Sequence, residues 1–169
     1  MIIMGIDPGT AITGYGLLKT SPLEDDGKRC PQVIDYGCIR TPSTEEMAKR
    51  LRIIYQKVSE IVHKYHPEEV AIEQVFLNKN SKTALSVGQA RGVIMLAASS
   101  EGGKIFSYTP LEVKQAITGY GRAKKRQVQH MIKKLLFLPE LPFPDDASDA
   151  IAVALCHYHS RKLKGLAKS

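Results

Sequence analysis

Short apolar runs alternate along this chain with longer stretches in which apolar residues recur every three or four positions. The first run, Ile2 to Ile6, is continuous and leads into Asp7, after which Pro8 and Gly9 follow. A continuous apolar run of this length is typical of a strand buried on both faces, and the Pro-Gly pair ends it. The pattern therefore predicts a central β-strand with a carboxylate at its last position.

Further strands and helices follow from the same pattern. Strands over residues 13–19 and 32–40 would complete an antiparallel meander with the first strand. Helix, short loop and strand then alternate, as in the crossover units of α/β sheets. The remaining predicted strands are 70–73 and 104–108, and the predicted helices are 43–65, 81–100, one beginning at 110, one resuming near 123, and 145–161. We expect an α/β protein with a five-stranded mixed sheet flanked by helices.

Turn and cap residues indicate where these elements end. Ser43 and Glu46, three residues apart, fit a capping box at the start of the first helix. The polar residues 21–31 are expected to form a surface loop. The segment 14–16 has two glycines but lacks the third glycine and the strand-to-helix context of a nucleotide loop, so we assign it no such role. We expect a single domain over residues 1–161 and a basic, flexible tail over 162–169.

The amino-acid composition indicates that the partner of this protein is anionic. The 169 residues include 24 Lys and Arg against 17 Asp and Glu, for a net charge of +7, which favours nucleic acid as the partner. No apolar run approaches the roughly 20 residues of a membrane helix, and the N-terminus lacks the features of a signal peptide. None of the three cysteines lies in a C-x-x-C motif. We therefore expect a cytoplasmic protein with reduced thiols, no zinc site and no membrane contact.

Four carboxylates are the candidate chemical groups. Asp7 and Glu73 each end a predicted buried strand, and Asp146 and Asp149 are three residues apart at the start of the last helix. Sites in open α/β sheets form at the ends of such strands, and acids spaced i, i+3 share one face of a helix. Converging carboxylates repel each other unless cations compensate them. Two Mg²⁺ ions about 3.5–4 Å apart would do so and could drive hydrolysis of a phosphodiester. By contrast, Asp145 is interpreted as a helix cap.

Four sequence blocks carry a resemblance to a known family. They are residues 5–9 (GIDPG), 71–76 (AIEQVF), 88–92 (GQARG) and 146–150 (DASDA). Together they resemble the RuvC-type Holliday junction resolvases of bacteria, in order and over nearly the whole chain, about residues 1–159.

The resemblance implies an RNase H-like fold and a homodimer. It also implies Mg²⁺-dependent, symmetric nicking of four-way DNA junctions in homologous recombination and DNA repair, with Mn²⁺ as a substitute for Mg²⁺. The implied catalytic and metal-binding residues are Asp7, Glu73, Asp146 and Asp149. The implied partners are four-way junction DNA, a junction-binding protein and a branch-migration ATPase.

Several further residues are candidates for DNA contact. Phe76 could stack on an unpaired base, although it could instead anchor its loop to the core. Lys114 and Lys125 align with basic residues that the family uses near the scissile phosphate. The other candidates are Asn78, Lys79 and Asn80 in the cleft, and Arg122, Lys124, Arg126, Lys133 and Lys134 as phosphate contacts, with a solvated helix face as the alternative for the last two.

The helix predicted over 81–100 is the candidate dimer interface. Its small residues would let another backbone approach closely, and the two-fold symmetry of a dimer would match that of a junction. Packing against the sheet is the alternative for this helix. We interpret all five histidines as structural or surface residues and not as metal ligands.

Three other functions stay open from the residues alone. Residues 6–10 also resemble the first phosphate loop of actin-like kinases and ATPases, but such enzymes need two lobes. A related RNase H-like nuclease acting on RNA would use the same acids. A non-catalytic DNA-binding dimer is the third alternative, but clustered acids would not help a surface to bind phosphate.

Overall fold

The structure is a computed structural model that describes residues 1–20, 30–74 and 81–166, with the backbone alone described for 81–83 and 162–166. The strands are β1 (Ile2–Asp7), β2 (Ile12–Lys19), β3 (Gln32–Arg40), β4 (Glu69–Glu73) and β5 (Lys104–Tyr108). The helices are α1 (Met47–Tyr65), α2 (Ser81–Ser99), α3 (Pro110–Thr118), α4 (Lys125–Leu135) and α5 (Asp145–Leu166). Most of the loop predicted over 21–31, and Phe76, Asn78, Lys79 and Asn80, lie outside the described residues.

The five strands form one mixed sheet in the order β3-β2-β1-β4-β5. β1, β2 and β3 pair antiparallel, and β1, β4 and β5 pair parallel. The structure confirms the predicted antiparallel meander of β1, β2 and β3, and it confirms that parallel strands extend the sheet. β1 lies at the centre, as its continuous apolar run indicates.

Helices cover both faces of the sheet. Met4, Ile6 and Ile72 pack with α1 and α2 on one face. Ile3 and Ala71, from the alternate strand positions, pack with α3, α4 and α5 on the other. Because strand side chains alternate between faces, Asp7 and Glu73 point to the same face as Ile3 and Ala71. That face is the one that α5 covers.

The ends of the helices differ from prediction in two places. The capping box predicted at Ser43 and Glu46 is wrong, because α1 begins only at Met47 and Glu46 makes no side-chain cap bond. The entry to α1 is instead held by Thr41, whose Oγ1 accepts a 2.8 Å hydrogen bond from Arg50 Nε. α5 continues to Leu166, five residues beyond the predicted end. None of the helices in the described ranges is long and apolar enough to span a membrane.

Candidate active site

Asp7 and Glu73 are neighbours at one edge of the sheet. Each is the last residue of its strand, and the parallel register of β1 and β4 pairs Ile6 with Ile72 one position earlier. The two carboxyl groups lie close enough to share a proton, which adds to the rise that burial causes in the pKa of Asp7 and opposes the rise that burial causes in the pKa of Glu73. The structure therefore places Asp7 and Glu73 side by side at the ends of two neighbouring strands, as the sequence predicts.

Glycines let α5 bring its own acids to the same point. Gly14 pairs with Asp7 across β1 and β2, and a Cβ atom on Gly14 would lie 2.0 Å from the backbone oxygen of Asp146. A Cβ on Gly5 would lie 2.1 Å from the backbone oxygen of Ala150. Any side chain at these positions would push α5 away from the sheet. The glycines therefore set the first turn of α5 beside the end of β1.

This role of the strand glycines was missed from the sequence. In the sequence, Gly14 and Gly16 suggest only a nucleotide loop, which the missing third glycine excludes. The available signal was that both lie inside a predicted strand, two positions apart and so on one face. Glycine inside a strand often marks the close approach of another backbone.

The electrostatics of Asp7 show that the four acids share one region. Burial, together with the negative charges of Glu73, Asp149 and Asp146, raises the pKa of Asp7 from 3.8 to about 8. Burial also raises the pKa of Glu73 and of Asp149, although nearby lysines oppose the shift in both. Desolvated carboxylates that repel one another are stabilised by a shared proton or by a cation.

Two lysines approach the acids from α3 and α4. Lys125 Nζ lies 2.8 Å from Asp149 Oδ2 and 3.4 Å from Asp145 Oδ2. Lys114 and Lys125 both lower the pKa of Glu73 against the effect of burial. Glu73, Asp149 and the two lysines line a cavity of about 200 Å³. The cavity thus combines negative ligand groups with two positive charges at its wall.

The chemistry of this donor set fits a hard divalent cation such as Mg²⁺, which prefers carboxylate oxygens. Within the described residues, however, no three His, Cys, Asp or Glu side chains are already arranged to hold a metal ion. Asp149 is instead bonded to Lys125. Cation binding would replace the shared proton and loosen the contact with Lys125.

The other predicted DNA contacts are distributed more widely. Lys114 is half-buried, whereas Arg122, Lys124 and Arg126 are exposed around the start of α4, next to Lys125. Lys133 and Lys134 are in the last turn of the same helix, about 12 Å further along it at 1.5 Å per residue. The structure thus brings Lys114 and Lys125 to the acids and leaves the remaining described cations on the adjoining surface.

His157 has a structural role, in keeping with the interpretation of the histidines. It is buried, its Nδ1 lies 2.7 Å from the hydroxyl of Tyr108, and its Nε2 lies 2.8 Å from Glu69 Oε2. Arg161 Nε lies 2.7 Å from the same Glu69 oxygen, Oε2, and forms a salt bridge with it. These bonds tie α5 to Glu69 at the start of β4 and to Tyr108 at the end of β5.

Comparisons with known proteins agree on one family. Residues 3–157 match the family described as "Crossover junction endodeoxyribonuclease RuvC". A protein of that name from Pelotomaculum thermopropionicum is 52% identical over 168 residues, which are 97% of this chain and 99% of that protein. The structure of RuvC from Thermus thermophilus superposes with a TM-score of 0.87 at 32% identity and covers 97% of both chains. The same protein in complex with a Holliday junction substrate gives 0.85 at 30% identity, over 96% of both chains.

Proposed function

The chain belongs to the RuvC family of crossover junction endodeoxyribonucleases, and we propose that it resolves four-way DNA junctions by paired, symmetric nicks in homologous recombination and DNA repair. The fold is RNase H-like, as the resemblance implied. The observation that carries the proposal is the cluster of desolvated carboxylates at one edge of the sheet, in a chain that matches this family along most of its length.

The family implies dependence on a divalent metal, and we propose Mg²⁺ as that metal, two ions per site, with Mn²⁺ as a substitute. Asp7, Glu73, Asp146 and Asp149 would hold it and form the catalytic set. When bound, the metal would neutralise charge on the scissile phosphate and supply an activated water. Support for this comes from the mutual repulsion of the four acids, which a cation relieves.

The lysines have a separate task in this mechanism. Lys125 balances Asp149 and Asp145 in the absence of DNA, and Lys114, which also lines the cavity, acts on Glu73. A phosphodiester entering the cavity would give both ammonium groups a new anionic partner. We propose that they orient the scissile phosphate and compensate the charge that develops on it.

The remaining assigned DNA contacts extend this surface. We propose phosphate contacts for Arg122, Lys124 and Arg126, which are exposed beside Lys125. For Phe76 we propose stacking on an unpaired base, and for Asn78, Lys79 and Asn80 a position in the DNA cleft. Support for these four comes from the family resemblance and from their place in the chain, directly after Glu73.

We propose that the protein acts as a homodimer formed through α2. One side of α2 buries Ala90, Ile94 and Ala97 in the core, so this helix does pack on the sheet. The opposite side exposes residues at helical spacing, namely Leu85, Gly88, Gly92 and Leu96, with the two leucines 67% and 62% exposed. In the described part of the chain nothing lies within 4 Å of a Cβ at either glycine, so a second copy could approach this side closely.

Placing a charged residue on the exposed side of α2 tests whether this side forms the dimer interface. Leu96→Asp should convert a dimer to a monomer in analytical ultracentrifugation, because it would bury a carboxylate at the interface. Leu111→Asp is the matched control, since Leu111 is 59% exposed but lies on α3. Equal sedimentation of the wild type and both variants would exclude α2 as the interface.

Two further proposals follow from the substrate. A protein that cuts recombination intermediates would work with a junction-binding protein and a branch-migration ATPase, and it would do so in the cytoplasm, where bacterial DNA is located.

The reaction is tested on a synthetic mobile four-way junction with Mg²⁺. Wild type should produce paired symmetric nicks, and Asp7→Asn should bind the junction without cutting it. Glu140→Gln is the matched acid-to-amide control at an exposed position and should cut normally. A linear duplex, an RNA substrate and ATP binding serve as counter-tests. Absence of wild-type nicking, or full activity of Asp7→Asn, would refute the proposed mechanism.

A further inference from the structure

A groove of about 980 Å³ opens beside the candidate active site. It lies between the turn joining α3 and α4, the helix α4 and the loop that precedes α5, and its lining includes Asp145 and Leu141. Lys125 lines both this groove and the smaller cavity that holds the acids. The groove and the cavity are therefore adjacent and share the Lys125 side chain as a wall.

The lining of the groove combines apolar and cationic groups. Ala123, Met131 and Leu141 supply apolar surface, and Lys125 and Arg126 supply positive charge. The backbone of a duplex presents only phosphates and sugars, for which apolar walls offer little. A nucleotide pulled out of the base stack presents an apolar base face together with a phosphate, and a groove of this volume is large enough to admit one.

Tyr120 is the aromatic side chain of this groove. Its backbone is held on both sides, because its N–H donates to Thr118 Oγ1 at 3.2 Å and its carbonyl accepts from the N–H of Ala123 at 3.1 Å. Gly119, with φ of 74°, ends α3 in the left-handed conformation just before it. The ring is nevertheless 59% exposed. A fixed backbone that presents an exposed ring is suited to stacking and adds nothing to the core.

We propose that this groove binds an unstacked nucleotide of the DNA strand being cut, with Tyr120 stacked on its base and Arg126 paired with its phosphate. The inference rests on the proposed junction cleavage. It assigns Tyr120 a role in substrate positioning that is distinct from the stacking role proposed for Phe76. Stacking of this kind contributes about 1–3 kcal/mol per base, which is roughly a 5- to 150-fold shift in the fraction of bound junction that holds its nucleotide in the groove.

Photo-crosslinking tests the contact directly. Junctions would carry 5-iodo-deoxyuridine at each position within three nucleotides of the scissile phosphate, and metal would be omitted so that the strand stays intact. Long-wavelength irradiation should join one of these positions to the peptide that contains Tyr120. The crosslink should disappear in Tyr120→Ala, while Tyr55→Ala, which removes a ring that is 38% exposed from α1 on the opposite face of the sheet, should leave it unchanged.

Single-turnover cleavage at saturating protein supplies the second readout. Tyr120→Ala should slow nicking roughly 5- to 150-fold, Tyr120→Phe should restore the rate because it keeps the ring, and Tyr55→Ala should match wild type. If wild type cuts the junction but no position crosslinks to Tyr120, or if Tyr120→Ala cuts at the wild-type rate, the inference is overturned and the proposed function stands. If wild type does not cut the junction at all, the proposed function fails and the inference fails with it.

Discussion

Replacing Asp7 by Asn should stabilise the metal-free protein at alkaline pH, while abolishing its cleavage activity. Asp7 is held among three other acids at the edge of the sheet, where burial and the charges of Glu73, Asp149 and Asp146 raise its pKa to about 8. Its ordinary value is 3.8. The folded protein therefore keeps a proton on Asp7 at pH values where the unfolded chain has lost it.

The sign of the effect follows from this proton. Between pH 3.8 and about 8 the folded state binds more protons than the unfolded state, so stability falls as pH rises through that window. A shift of about 4 pH units sets an upper limit of about 6 kcal/mol. Asp7 is only partly shielded from water and shares its proton with Glu73, so we expect about 2–3 kcal/mol. Asn cannot ionise and escapes this loss.

Urea denaturation in EDTA, at pH 4, 7 and 9, measures the difference. The free energy of unfolding of Asp7→Asn should equal that of wild type near pH 4 and exceed it by about 2–3 kcal/mol at pH 9. Adding Mg²⁺ at pH 9 should stabilise wild type more than the variant, because ligand binding to the folded state stabilises by mass action. Glu140→Gln, at an exposed position, is the control and should follow wild type at every pH.

Two results would refute the reasoning. An Asp7→Asn protein no more stable than wild type at pH 9 would show that the four acids do not repel one another strongly in the folded state. A stability gain of the same size at pH 4 and pH 9 would show that the gain comes from packing or hydrogen bonding and not from ionisation.

Three further predictions address the rest of the site. Gly14→Ala should destabilise the fold by about 1–3 kcal/mol and abolish nicking, because its Cβ would meet the Asp146 carbonyl; unchanged melting and cleavage would contradict the close approach of α5. Lys125→Gln should slow cleavage at saturating DNA and lower the slope of log affinity against log salt by about one, whereas Lys134→Gln, at the far end of α4, should lower only the slope; equal cleavage rates would exclude Lys125 from the site. EDTA should abolish nicking and Mg²⁺ or Mn²⁺ should restore it, whereas cleavage that survives dialysis against EDTA would exclude a metal mechanism.

Local patterns were enough to predict the elements of the fold. The apolar run before Asp7 predicted the central strand, because a short continuous apolar run that ends at Pro and Gly is typical of a strand covered on both faces. The start of α1 was the exception. Ser43 is a residue type that often caps helices, but the hydrogen bonds before α1 are made by Thr41, which bonds to Thr10 and Arg50. A cap depends on where the tertiary fold needs the helix to begin, and this lies outside the pattern of the helix itself.

What the sequence by itself determined was the list of parts: five strands, five helices and four acids, two of them at strand ends and two at one helix start. These follow from period and composition within short windows. What only the tertiary structure decided was how the parts meet. Gly5 and Gly14 admit α5 to contact distance with the sheet, and Lys125 joins the acid cavity to the groove of Tyr120. The two glycine contacts join residues over 100 positions apart, and no local pattern specifies the distances between them.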